Sequence, residues 1–273
     1  MDLTVEELAK MIDHTVLKAD TKREKVKQIC EEALEYHFGA VCINTTHVEY
    51  AAELLKGSSV KVCCVVGFPL GAMITKAKAF EAEEAVRLGA HEIDMVMNIG
   101  ALRDENYDLV RSDIEAVVDA SKGAHVKVIL ETGLLVDEQK RKACLLCKEA
   151  GAHFVKTSTG FGPMGATPYD VRLMRETVGP EMGVKAAGGI GNFKDAIQMI
   201  EAGANRIGAS AGVAIIEDFR MLKYSDAWMI DDKPCWRCPS RLADINKQPT
   251  DVYLWYKQRC ITCEHREMNV FND

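Results

Sequence analysis

The chain has 273 residues, 48% of them hydrophobic and 27% charged, with a formal charge of −7, an ordinary balance for a soluble globular protein. The acidic total argues against general binding to nucleic acid or anionic membranes, and no stretch approaches the roughly 20 apolar residues that a membrane-spanning helix needs. Ten cysteines behind an acidic, amphipathic start, "MDLTVEELAKMIDHT", predict reduced thiols in a cytoplasmic protein and not a secreted disulfide framework.

From Ile12 to Ile216 short β-branched runs alternate with longer amphipathic stretches. The strand candidates are 11–17, 39–45, 60–68, 91–98, 125–132, 153–158, 183–188 and 205–210. Helical patterns fall between them at 21–38, 46–56, 75–89, 103–121, 136–150, 168–178 and 192–202. Several helices run into a Gly-Ala pair just before the next strand: Gly39-Ala40, Gly89-Ala90, Gly151-Ala152 and Gly203-Ala204. Glycine there suits a left-handed helix cap. Strands alternating with helices over this length predict an α/β protein, a (β/α)8 TIM barrel at its compact end. An open doubly wound sheet is the alternative, but no "GxGxxG" follows the first strand.

In a barrel the strand C-termini form one mouth, where active sites are built. Asp13, Thr15, Cys42, Asn44, Asp94, Asn98, Glu131, Thr132, Lys156, Thr157, Ser158, Lys185 and Ser210 fall at or near those ends. Lys156 in "HFVKTS" and Lys185 in "GVKAAG" share a Val-Lys context on neighbouring strands. Two inward ammonium groups close together should each disfavour the other's charge, and desolvation should act the same way. A lysine driven toward neutrality is an amine nucleophile able to form a Schiff base with a carbonyl. Asp94 is placed to pair with the lysine that stays charged and to move protons with it. The bland alternative, lysines snorkelling from strand ends, does not explain the repeated context.

The loops "AAGGIGN" and "IGASAG" follow the last two strands, where barrels often bind phosphate through backbone N–H groups. Gly188, Gly189, Gly208 and Ser210 are the candidates. Ordinary turns also favour glycine, so the loops count mainly beside an amine nucleophile.

The motifs "IDHTVLKADT", "AVCINTTHV", "VVGFPLG", "EIDMVMNIG", "VILETGLL", "FVKTSTGF", "VKAAGGI" and "RIGASAGVAI", one per strand in order, resemble those of the class I deoxyribose-phosphate aldolases. The resemblance runs from Leu8 to about Ile216. It implies Lys156 as the Schiff-base lysine, with Lys185 and Asp94 as the proton relay. Asp13 would support the relay through Lys185, Thr15 and Cys42 would line the substrate pocket, and the four loop residues would bind phosphate. It further implies cleavage of 2-deoxy-D-ribose 5-phosphate to glyceraldehyde 3-phosphate and acetaldehyde, with no cofactor for catalysis. Another imine-forming sugar-phosphate aldolase is the alternative function, and an idle barrel serving as a scaffold is a third reading. Two departures touch the phosphate site: Ala211 stands where many members carry a second hydroxyl, and Phe161 where some carry lysine.

Beyond Ile216 the composition changes. Residues 217–273 contain no glycine, yet hold Trp228, Trp236 and Trp255. They are read as a C-terminal extension to a barrel of residues 1–216. Cys235, Cys238, Cys260 and Cys263 form two CxxC pairs 21 residues apart, just beyond the usual spacing of a four-cysteine structural zinc site, with His265 as a substitute ligand. An unligated extension or a redox pair is the alternative. Cys144 and Cys147 fall in a helical pattern and, like Cys63 and Cys64, are read as packing. The expected partners are a sugar phosphate and aldehydes, with no nucleic acid or membrane and a homo-oligomer left open.

Overall fold

A computed structural model describes residues 3–224, 229–230 and 233–234. Eight parallel strands close into a barrel, each paired with its neighbours in sequence and the last with the first. They are β1 (Ile12–Thr15), β2 (Ala40–Asn44), β3 (Lys61–Val66), β4 (Glu92–Val96), β5 (His125–Ile129), β6 (Phe154–Lys156), β7 (Gly183–Ala187) and β8 (Arg206–Ala209). The helices are α1 (Val5–Lys10), α2 (Arg23–Tyr36), α3 (Val48–Leu54), α4 (Thr75–Arg87), α5 (Ile99–Arg103), α6 (Tyr107–Ala120), α7 (Asp137–Glu149), α8 (Pro168–Val178), α9 (Phe193–Glu201) and α10 (Gly212–Tyr224). Every strand candidate is a strand, and the barrel replaces the open-sheet alternative. The 103–121 pattern is α6, whose start is set by Glu105 in a left-handed turn (φ 58°) and by Asn106 capping it through Leu109 N; the short α5 before it was not among the expected helices. Met229–Ile230 and Lys233–Pro234 form a two-residue antiparallel pair, β9 and β10.

Alternation along each strand decides which way a side chain points. The outward residues, such as Val41, Ile43, Val62, Cys64, Ile93, Val126, Val128 and Val184, join the inner faces of the helices in the main core. Helix α10 runs through position 216, so the compositional change there begins inside a barrel helix; a helix interior avoids glycine on propensity alone. Cys144 and Cys147 lie buried on α7, packing as expected. The four tail cysteines lie outside the described residues.

Three of the Gly-Ala pairs behave as anticipated: Gly89, Gly151 and Gly203 have φ of 110°, 76° and 114°. Gly39 does not. His37 takes the left-handed position (φ 56°), and Gly39 is required because a Cβ there would lie 2.3 Å from the Lys10 carbonyl oxygen.

The residue just before each of three even-numbered strands ties that strand to its predecessor. His91 Nδ1 accepts from Val62 N at 3.1 Å, His153 Nδ1 from Val126 N at 3.1 Å, and Asn205 Oδ1 from Val184 N at 2.9 Å. Their own N–H groups bond back to the carbonyls of the same three valines. An imidazole can accept there only while Nδ1 is unprotonated. Burial lowers the pKa of both histidines, aided by Lys61 at His91 and by His125 and Lys127 at His153. A depressed histidine binds fewer protons folded than unfolded, so stability is full above the unfolded value of about 6.5 and falls as pH drops through the folded one. Thermal melts should therefore show a lower Tm at pH 5 than at pH 7.5. His91→Asn with His153→Asn, copying Asn205, should shrink that difference; an unchanged difference would assign the pH dependence elsewhere.

Candidate active site

The barrel interior is divided. Ala40, Cys42, Cys63 and Val65, from β2 and β3, form a small apolar cluster. The rest is an ion network of three carboxylates, Asp13, Glu92 and Asp94, and four bases, Lys127, Lys156, Lys185 and Arg206. Strand register assembles it. Asp94 pairs with Lys127 across β4 and β5, Lys156 with Lys185 across β6 and β7, and Lys185 with Arg206 across β7 and β8.

Asp94, fully buried, is the hub. Its Oδ2 accepts from Lys156 Nζ and from Lys185 Nζ, each at 2.7 Å. Its Oδ1 accepts from Lys127 Nζ at 2.8 Å and from the Cys63 thiol at 3.1 Å. Asp13 bonds Lys185 through one oxygen and Arg206 Nη1 through the other, the latter at 2.7 Å. Lys127 also meets Glu92 at 2.6 Å.

Burial alone would raise both aspartates. At Asp13 that push is outweighed by Lys185, Arg206 and Lys127, which hold the carboxyl down at about 2. At Asp94 the three lysines hold it well below the usual carboxylate range. Lys185 is the lysine that stays charged. Burial does lower its pKa, but Asp13 and Asp94 more than compensate and hold it above the ordinary lysine value. Lys127 is raised in the same way by Asp94 and Glu92, with Cys63 adding to the effect. Carboxylates set these charges more than the other lysines do.

A cavity of about 1200 Å³ opens at the strand C-termini. Of the seven network residues only Lys156 lines it. Lys156 is 3% exposed and shares a single carboxylate oxygen with Lys185, whereas Lys185, Lys127 and Arg206 each bond two carboxylates. The amine with the fewest anionic partners therefore faces the space where a substrate would lie. Four bases against three acids also leave the network balanced when one amine gives up its charge.

Thr15, Gly188, Gly189, Gly208 and Ser210 line the same cavity. Asp13 and Cys42 do not; they sit beneath it, with Cys42 Sγ 3.9 Å from Asp94 Oδ2. The Cys42 thiol is pulled down by a hydrogen bond with Cys63 and by Lys185, against its burial. Gly188 and Gly189 have φ of 91° and 78°, a conformation that turns the loop back over the cavity at no steric cost to glycine. Gly208 serves a further end, since a Cβ there would lie 3.0 Å from Lys185 Cε. Its missing side chain makes room for the lysine stem. The remaining cationic side chains on the cavity wall are Lys18, Lys22 and Lys25, from the segment after β1.

Sequence reasoning missed Lys127, Glu92, Arg206 and the part taken by Cys63. The signal for Lys127 was ambiguous, because "HVKVIL" repeats the Val-Lys context of Lys156 and Lys185 but so does the exposed Val60-Lys61. Cys42, Cys63 and Asp94, and likewise Asp13, Cys63 and Glu92, come close enough to hold a metal ion. Lys127 Nζ already lies among them, 3.4 Å from Cys63 Sγ, so the chain supplies its own cation there.

Comparison with known proteins agrees with this geometry. The family model described as DeoC/LacD family aldolase matches residues 7–218. The deoxyribose-phosphate aldolase of Clostridium perfringens strain 13 is 61% identical over 213 residues, covering 78% of this chain and 95% of that protein. Its namesake from Streptococcus sanguinis is 59% identical over 210 residues, covering 77% and 96%. Among solved structures, the tetrameric deoxyribose phosphate aldolase of Aeropyrum pernix superposes with a TM-score of 0.75 at 34% identity, covering 80% of this chain and 92% of that one. The matched span takes in all eight strands and every residue of the ion network, and the chain belongs to the DeoC/LacD family of aldolases.

Proposed function

We propose that this chain is a class I aldolase that reversibly cleaves 2-deoxy-D-ribose 5-phosphate to D-glyceraldehyde 3-phosphate and acetaldehyde. One observation carries the assignment of roles: Lys156 reaches the cavity while its amine, 2.7 Å from Asp94 Oδ2, shares that oxygen with Lys185. The names of the 60%-identical relatives favour this substrate over other sugar phosphates.

Lys156 attacks the C1 aldehyde, and the carbinolamine loses water to give a protonated imine. Deprotonation of the C3 hydroxyl breaks the C2–C3 bond, and the electron pair flows into the imine to leave an enamine. Glyceraldehyde 3-phosphate departs. Protonation of the enamine at C2 and hydrolysis release acetaldehyde and regenerate Lys156. The imine is the electron sink, so the chemistry calls for no metal or organic cofactor. Lys185, held charged, is the proton source on the relay, and Asp94, held ionised, bridges it to Lys156. Asp13 keeps Lys185 charged and aimed. Thr15 lines the substrate cavity, Cys42 packs below it, and backbone N–H groups around Gly188, Gly189, Gly208 and Ser210 receive the phosphate. The N-terminus of α10 begins two residues past Ser210 and adds its dipole. Lys18, Lys22 and Lys25, interleaved with Asp20 and Glu24, leave their stretch of the cavity wall with a small net positive charge for the dianion to approach.

The test is borohydride reduction in the presence of deoxyribose 5-phosphate, followed by mass mapping of the adduct. Modification of Lys156 is the expected result. Modification of Lys185 would reverse the two roles, and cleavage of other sugar phosphates in preference to this one would favour the alternative imine aldolase.

The six described cysteines are all free and buried, which suits a reducing cytoplasm. For the tail, whose cysteines the structure does not describe, we infer from spacing a structural zinc on Cys235, Cys238, Cys260 and Cys263. Stoichiometric zinc in the purified full chain, lost on Cys→Ser replacement, tests it. A homo-oligomer is the further reading, tested by sedimentation.

A further inference from the structure

Glu131 follows β5 in a left-handed backbone conformation, φ 55° and ψ 61°, which few residues other than glycine adopt. It is no surface turn, for the residue is 3% exposed. Such strain persists only where the surroundings enforce it, and it gathers at functional sites.

Here the conformation lays the carboxylate against the loop that leaves β6. Glu131 Oε2 accepts from Thr159 N at 3.2 Å and from the Thr159 hydroxyl. That hydroxyl in turn accepts from Phe161 N at 3.0 Å. Gly162 packs directly on the carboxylate, since a Cβ there would lie 2.7 Å from Glu131 Cδ. At its far end the loop is fastened to β7: Ala166 N donates to Gly188 O at 2.9 Å, and a Cβ on Gly165 would lie 2.3 Å from that oxygen. Residues 159–166 thus span from the end of β5 to the Gly188–Gly189 turn, crossing the end of β6 where Lys156 stands. Thr159, Gly160 and Phe161 form part of the cavity wall.

We propose that Glu131 is a positioning residue that clamps this loop and, through it, the Gly188–Gly189 turn. It thereby fixes the phosphorylated half of the substrate relative to Lys156 and takes no part in the imine chemistry. The proposal rests on the aldolase reading and specifies which part of the substrate the clamp serves.

The test separates the two halves of the substrate. Acetaldehyde with borohydride reports imine formation at Lys156 alone, whereas cleavage of deoxyribose 5-phosphate needs both halves held. Glu131→Gly keeps the left-handed backbone free of strain and removes the clamp. It should raise KM for deoxyribose 5-phosphate about tenfold or more, with acetaldehyde trapping within about threefold of wild type. Glu131→Gln, whose amide oxygen can accept both Thr159 bonds, should restore most of the loss. Gly162→Ala displaces the carboxylate from the other side and should reproduce the KM effect even if Glu131→Gly fails to fold. An unchanged KM in either folded variant overturns the proposal, as does acetaldehyde trapping that falls in step with cleavage. Absence of trapping in the wild type sinks the imine reading itself, and the clamp with it.

Discussion

Replacing Lys156 with leucine is expected to lower kcat for deoxyribose 5-phosphate cleavage by about 10⁴-fold or more, as loss of a covalent nucleophile does, while the barrel stays folded. The second half of that expectation comes from the charge count. Removing most buried ions strands a partner, at a cost of about 3–5 kcal/mol. Lys156 differs because three bases remain against three acids, and Asp94 keeps both Lys185 at 2.7 Å and Lys127 at 2.8 Å. Tm should fall by only a few degrees and imine trapping should vanish. Lys185→Met is the informative contrast. Trapping at Lys156 should persist, since the nucleophile is intact, while turnover drops about 10²- to 10⁴-fold with loss of the proton source. If Lys156→Leu unfolds the chain, the view of Lys156 as the dispensable charge of the network is wrong. If it retains turnover, the assignment of the nucleophile is wrong.

Much of this site was legible before any coordinates. β-Branched runs punctuated by helices gave all eight strands, because a parallel strand buried on both faces must read as an apolar run. Lys156, Lys185 and Asp94 stood out as charges where a strand should be apolar. Lys127 obeyed the same rule and was passed over, as it lies mid-strand, one inward position deeper than the mouth. Context could not rescue it: Lys61 also follows a valine on a strand, yet is exposed. Only register separates them, since Lys127 lies opposite Asp94 whereas Lys61 pairs with Ala40 at the barrel rim. The residues alone left open which of the two lysines stays charged, for a related reason. Two lysines in a sequence suggest mutual repulsion, but the sign of the outcome depends on carboxylates that arrive from β1 and β4, 172 and 91 residues away. The strain at Glu131 left no trace in composition, because nothing about a glutamate announces a left-handed backbone.

The largest effect on stability should come from Lys127, which has no contact with the cavity. Lys127→Met removes an ammonium that lies 2.6 Å from Glu92 and 2.8 Å from Asp94, in a position with no exposure to water. Methionine matches the stem in length, so packing is largely kept and the loss is electrostatic. Two carboxylates then lose their shared cation in the barrel interior. Arg206 still serves Glu92 at 3.1 Å, and Lys156 and Lys185 still serve Asp94 Oδ2, but Oδ1 is left with the Cys63 thiol alone. The expected cost is about 3–5 kcal/mol, or roughly 10 °C in Tm for a domain of this size. The raised pKa of Lys127 gives this stabilisation a pH signature. It is fully present below the unfolded lysine value of about 10.4 and is lost only as pH rises through the higher folded value, so the deficit of the variant should be constant through neutral pH. Lys127→Met combined with Glu92→Gln should recover part of the loss, because it removes one of the two stranded charges. A double variant no more stable than the single would mean that Glu92 is satisfied by Arg206 alone, leaving Asp94 to bear the whole effect. Activity discriminates further. Oδ1 of Asp94 is anchored by Lys127, and the carboxylate must stay fixed to hold Lys156 and Lys185 on its other oxygen. Lys127→Met should therefore lower kcat at temperatures well below its Tm, with KM little changed. If kcat at such temperatures matches wild type, Lys127 stabilises the barrel and nothing more.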